Sequence, residues 1–97
     1  MKAIFISFDQ AHFEDIIRIL EHLEIRGFTY WDNVAGCGSK YGEPHYGNHA
    51  WPGLNGVIWT VVAADKVDMV MKMLHKLDSQ FEQLGLRAFI MNVENTI

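Results

Sequence analysis

The chain has 97 residues, of which 49% are hydrophobic, a single cysteine and a formal net charge of −4. That length is one domain, 1–97, with a thin core, and leaves little room for a spacious internal site unless several chains build it together. Mild acidity without a run of Lys or Arg argues against a duplex nucleic-acid binder, and the absence of an apolar stretch approaching ~20 residues argues against membrane insertion. The N-terminal apolar run is too short for a signal peptide, and a lone Cys37 suits a reducing compartment, so the expected location is cytoplasmic.

Lys2 to Phe8 is β-compatible and apolar on both faces, as a central strand requires. Phe13, Ile16, Ile17, Leu20 and Leu23 then recur at helical spacing between charged residues, which predicts an amphipathic helix of about four turns. Gly27 stands where a left-handed C-terminal cap belongs, and Phe28 to Val34 returns to strand chemistry. Val57 to Val62 reads as a buried strand. Asp65 follows as the N-cap of a second helix, in which Val67, Val70, Met71, Leu74, Leu77, Phe81 and Leu84 hold the period for about five turns up to Gly85. Leu86 to Val93 makes a fourth strand.

The order βαββαβ predicts an α+β, ferredoxin-like fold: a four-stranded antiparallel sheet with two helices on one face and a long loop between strands 2 and 3. The other sheet face is left bare. Because strands 1 and 3 are apolar on both sides, oligomerisation is expected to cover it, in preference to a few tolerated exposed residues.

Residues 36–56 lack either period, and a loop so long in a compact domain is usually functional. Its aromatic residues, Tyr41, Tyr46 and Trp51, argue against disorder and suit a partner-docking surface, Tyr46 and Trp51 above all. Five of the eight glycines lie between Gly36 and Gly53, a density that permits positive φ and close approach of backbone N–H groups to an anion. The spacing of Gly36, Gly38 and Gly42 is neither a dinucleotide fingerprint nor a P-loop. Lys40 offers a positive charge to an anion or simply to solvent. Cys37, His45 and His49 form a soft-ligand set that suits Zn or Cu, with the plainer reading that the histidines hydrogen-bond within an ordered loop and Cys37 packs as a small apolar group. A Cys–His pair without an orienting third group or an oxyanion site does not support catalysis, so the expectation is a non-enzyme.

Gly27-Phe28-Thr29, the run from Val34 through Gly36, Gly38 and Gly42 into a long loop, and Val61-Val62 followed by Asp65-Lys66-Val67 together resemble the PII-like signalling proteins, the superfamily of nitrogen regulatory protein PII. The resemblance implies a homotrimer whose sheets meet around a threefold axis, with adenine nucleotides bound in clefts between subunits. It also implies that the long loop, the family's T-loop, contacts a target such as a membrane transporter or an enzyme. By position, Thr29 would approach the base, and Gly36, Cys37, Gly38 and Ser39 would supply backbone contacts. Val62 and Ala63 would line the pocket.

The sequence also departs from the family pattern. Gln83-Leu84-Gly85-Leu86 runs straight into a strand in place of a Gly-rich phosphate-binding loop, and the family's pair of C-terminal arginines has no counterpart through Ile97. Ser39 or Lys40 replaces the loop-base glutamine. Arg87 falls near the family's phosphate-binding lysine, as a substitute for it or as a surface arginine. The resemblance therefore implies a divergent regulator that senses a small anionic ligand, an adenine nucleotide. The alternative is a metal-binding trimer of the same fold, similar to the CutA-like proteins and tied to metal homeostasis or efflux, using Cys37, His45 and His49.

Overall fold

The computed structural model describes residues 1–37, 44–48, 53–81 and 85–97. Among these, four strands form one antiparallel sheet: β1 (Lys2–Asp9), β2 (Thr29–Val34), β3 (Asn55–Val62) and β4 (Arg87–Asn92), in the spatial order β2-β3-β1-β4. Two helices, α1 (Phe13–His22) and α2 (Val67–Gln80), lie on one face, each entered through a short 3₁₀ turn. The expected ferredoxin-like α+β architecture is present.

The apolar periods decide which residues face the helices. Alternate positions of the central strands, Ile4, Ile6 and Phe8 on β1 and Ile58 and Val62 on β3, are buried against Ile16, Ile19 and Leu20 of α1 and Val70, Leu74 and Leu77 of α2. Thr60 shares this buried row, and its hydroxyl is satisfied by donating to the Gly27 carbonyl at 2.6 Å.

The opposite face is open and apolar. Thr29, Trp59, Phe5 and Phe89 form one cross-strand row, with Val61, Ala3 and Met91 beside it. Trp59 and Val61 are more than a third exposed, Phe89 is 55% exposed, and the rings of Phe5 and Phe89 stand 6.3 Å apart. Phe5 is the centre of a contiguous aromatic patch.

Local structure departs from expectation where side chains compete with simple capping rules. The first helix ends at His22, short of the four turns expected, and Gly27 is not its left-handed cap. That role falls to Glu24, at φ 59°. The N–H of Ile25 donates to the Leu20 carbonyl at 2.8 Å and that of Glu24 to Glu21 at 3.0 Å, the Schellman pairing, and buried Ile25 meets buried Leu20 as the motif favours. Asp65 is not an N-cap either: it lies inside the 3₁₀ turn Ala64–Lys66, where no side chain caps the following helix. Lys66 instead reaches across to α1 and donates to the Leu23 carbonyl at 2.8 Å, a cation at the negative end of that helix.

The second helix was expected to run to Leu84, but its regular part ends at Gln80 and Phe81 is extended. Leu84 itself lies outside the described residues. Gly85 does take a left-handed φ of 66° on the way into β4. The third strand starts at Asn55, two residues before the expected Val57, which shortens the loop from its C-terminal end.

Candidate functional site

The base of the 36–56 loop is built by backbone first. Gly36 and His45 form an isolated antiparallel bridge, each donating its N–H to the other's carbonyl, at 2.7 and 2.6 Å. A second closure follows, from the Gly47 N–H to the Gly53 carbonyl at 3.0 Å. Gly47 sits at φ 67°, and a Cβ there would come within 2.5 Å of Leu54 Cδ2. A Cβ on Gly36 would meet Asn55 Nδ2 at 2.6 Å, and one on Gly53 would press on the His45 ring at 3.2 Å. These glycines serve close packing of the loop onto itself. The N–H groups of Gly36 and Gly47 are committed within the loop, so they are not aimed at an external anion as the glycine density suggested.

Side chains complete the base. His45 is only 13% exposed, and its Nδ1 lies 2.5 Å from Asn55 Oδ1. Its Nε2 is 3.9 Å from Asp9 Oδ2. Asn55, itself buried, passes its Nδ2 to Ser7 Oγ at 3.4 Å. The chain of groups Asp9–His45–Asn55–Ser7 therefore ties the loop to the first residue of β3 and to the end of β1. Asp9 and Asn55 pair directly across the two strands. Sequence reasoning passed over both. Asn55 falls inside the 36–56 stretch, where Gly-rich neighbours hide its strand register, and Asp9 lies just past the Lys2 to Phe8 run.

Beside this base opens a cavity of about 450 Å³, lined by Asp9, Gln10, Tyr30, Asp32, Asn33 and Leu54 among others. Two carboxylates make it a poor place for an anion. Tyr30 stands between the rings of Phe13, 4.2 Å away, and Phe8, 6.3 Å away. Burial, with a smaller contribution from the charge of Asp32, pushes its phenol above the ordinary value of 10.0. At the neighbouring irregularity in β2, Asn33 adopts φ 56° and donates its N–H to Gln10 Oε1 at 3.1 Å.

The anticipated ligand residues are spread along the sheet, in a loop-base group and a far-end group, with Thr29 between them. Gly36 and exposed Cys37 lie at the loop base, and Arg87 is in register with Ser7 at that same end. Thr29 opposes Trp59, and Val62 and Ala63 close the far end of β3. Seven residue steps separate Asn55 from Val62, about 23 Å along an extended strand. One chain alone therefore does not bring the two groups together. Gly38, Ser39, Lys40, His49 and Trp51 lie outside the described residues; Tyr46 is 47% exposed next to the bridge.

Of the soft-ligand set, Cys37 and His45 are described, and His45 turns one ring nitrogen to Asn55. Among the described residues no group of three or more His, Cys, Asp or Glu side chains is arranged to hold a metal ion.

The sequence profile of the family described as "Nitrogen regulatory protein P-II" matches residues 1–97. The chain belongs to the P-II family. Two solved structures share the P-II fold with it: CPII from Thiomonas intermedia K12 bound to ADP and bicarbonate, with a TM-score of 0.73, and the same protein, described as a nitrogen regulatory PII-like protein, bound to ADP, AMP and bicarbonate, with a TM-score of 0.72. Each is 17% identical to this P-II chain, and each alignment covers 97% of it and 88% of the other. Among curated proteins no sequence matches. Among the described residues, no helix of this P-II protein is long and apolar enough to cross a membrane.

Proposed function

We propose that this P-II protein is a trimeric, cytoplasmic regulator that senses a small anionic ligand, an adenine nucleotide, in clefts between subunits, and acts on a transporter or an enzyme through the 36–56 loop. One observation carries the reading: the anticipated ligand residues are spread along the sheet in two groups. The loop base with Gly36, Cys37 and Arg87 forms one half-site, and Val62 and Ala63, with Thr29 midway along the sheet, form the other. A second copy packed against the open face through Trp59, Phe5 and Phe89 would bring one copy's loop base beside its neighbour's far end.

The ligands named for the CPII structures, ADP, AMP and bicarbonate, support the ligand class. The closed loop base supports the switching role. For a ligand to switch a loop held by a few hydrogen bonds at its neck, the two loop states need differ by only a few kcal/mol. The overall charge of −4 opposes anion binding, so the ligand must be held by local donors, Arg87 and Lys40 among them.

Calorimetry of the trimeric protein against ATP, ADP and AMP, with and without bicarbonate, tests the reading. Saturable binding of at least one nucleotide, lost in a variant that no longer assembles, is the expected result. A trimer that binds none of them in the millimolar range overturns it.

A further inference from the structure

The helical layer, on the side of the sheet away from the open face, carries a groove of about 590 Å³ between α1 and α2. Met69, Lys72, Met73, Lys76, Leu77 and Gln80 lie at i, i+3, i+4, i+7, i+8 and i+11, so one continuous stripe of α2 forms one wall. Asp15, Arg18 and Ile19 of α1 form the other. The floor is apolar and recessed: Ile19 and Leu77 are buried, Met73 is partly so, and Met69 is 48% exposed.

Charge sets this groove apart. Three of the chain's eight Lys and Arg residues line it, in a molecule of net charge −4. The carboxylate in the lining, Asp15, is engaged on both oxygens: Arg18 donates to Oδ1 at 2.9 Å, and His12 Nδ1 lies 2.9 Å from Oδ2. Lys72 and Lys76 are exposed, and among the described residues neither joins an ion pair, although Asp68 stands one turn before Lys72. Two lysines therefore border an apolar floor without a counter-charge from the described residues.

Shape selects the form of the partner. The stripe from Met69 to Gln80 spans about 16 Å, the length of a three-turn helix. Floor residues set below long cationic side chains are reached by a ridge of side chains, whereas a flat lipid surface meets the lysines and leaves Ile19 and Leu77 untouched. Methionines give the groove an adaptable lining. A helix laid into a groove by its apolar face is a recurrent mode of recognition, and here its flanks must be acidic.

We infer that this groove docks an acidic amphipathic helix of a partner protein, about three turns long, with its apolar stripe on Ile19, Met69, Met73 and Leu77 and its carboxylates on Lys72 and Lys76. In the trimer proposed above the open faces turn toward one another, so the groove stays outside. The inference does not rest on the nucleotide reading and uses none of its residues.

Fluorescence anisotropy of the full chain with three labelled peptides of about three to five helical turns tests it. One peptide has Leu at helical spacing flanked by Glu, the second has Lys in place of each Glu, and the third has the first composition in an order that breaks the stripe. The acidic amphipathic peptide should bind, and each of the others about tenfold or more weakly, because one turns attractive exposed pairs into repulsive ones and the other loses the continuous apolar stripe. In Lys72→Glu/Lys76→Glu the preference should reverse toward the Lys peptide. Failure of the acidic peptide to bind in the millimolar range overturns the inference, as does equal binding of the acidic and Lys peptides by the unmodified protein. Cosedimentation with phosphatidylglycerol vesicles that the double variant loses, without peptide binding, would assign the groove to an anionic lipid surface instead and overturn it too. The peptide comparison needs no variant, so it decides the matter even if the double variant fails to fold.

Discussion

Gly36 and His45 exchange both of their backbone hydrogen bonds across the neck of the long loop, and the Asn55 side chain lies directly beneath, within 2.6 Å of where a Cβ on Gly36 would be. A methyl group cannot be added there without moving Asn55, which in turn holds His45. Gly36→Ala should therefore cost about 1–3 kcal/mol in chemical denaturation and make the loop more susceptible to limited proteolysis. Asn55→Ala, which leaves the His45 ring without its nearest partner, should produce the same proteolytic phenotype by a different route. A loop equally resistant in both variants would show that the neck does not restrain it.

Glu24 is a non-glycine residue in left-handed geometry at the end of α1. Glu24→Gly removes that steric cost and should raise stability, by about 0.5–1 kcal/mol, whereas the same change at Gly27's neighbour Arg26 should not. Lys66→Met deletes the cation on the Leu23 carbonyl and should lower stability by about 0.5–1 kcal/mol. Thermal and urea denaturation of the three variants measure both effects.

Helix and strand identity were legible because Ile4, Ile6 and Phe8 and the Val70–Leu74–Leu77 stripe carry strong periods, and burial enforces them. The termini were less so. Gly27 is a better left-handed residue than Glu24 by intrinsic preference, but the helix ends where Leu20 and Ile25 can both be buried, and packing outweighs a cost of about 1 kcal/mol. Asp65 looked like a cap for the same reason, and lost the position to a 3₁₀ turn that aims Lys66 at α1. At the candidate site, residue types were readable but partnerships were not. Nothing local in the sequence links His45 to Asn55 and Asp9, which meet only because β1 and β3 pair in register.

The centre of the open face offers a direct test of assembly. Trp59→Asp puts a charge into the row with Phe5 and Phe89. Trp59 is 37% exposed in the single chain, so the change also removes some packing within the domain, and circular dichroism of the variant must show that it is still folded. Sedimentation should then show a trimer for the unmodified protein and a monomer for the variant, with nucleotide binding lost alongside. A variant that remains trimeric would remove the open face from the subunit interface.

Tyr30 supplies a pH prediction. Its phenol is raised in the folded state, so the unfolded chain releases the proton first as pH climbs through about 10. Unfolded molecules then bind fewer protons than folded ones, and stability falls with rising pH from the ordinary tyrosine value up to the folded one. The Tyr30 contribution is fully present below that window. Urea denaturation between neutral and alkaline pH should show a smaller alkaline loss in Tyr30→Phe than in the unmodified protein, and parallel curves would refute the assignment.

The irregularity in β2 bears on how such a molecule avoids polymerising. Regular pairing in that edge strand spans only Thr29–Trp31 before the register shifts and Asn33 turns left-handed, its N–H taken by Gln10. A stranger's strand adding to that border finds three residues of matching hydrogen bonds and then a mismatch, too little to template a growing ribbon. Lateral extension of the sheet is thereby discouraged on the side nearest the loop, which leaves the aromatic face for association, and in the trimer proposed above packing around an axis ends in a closed ring of fixed number.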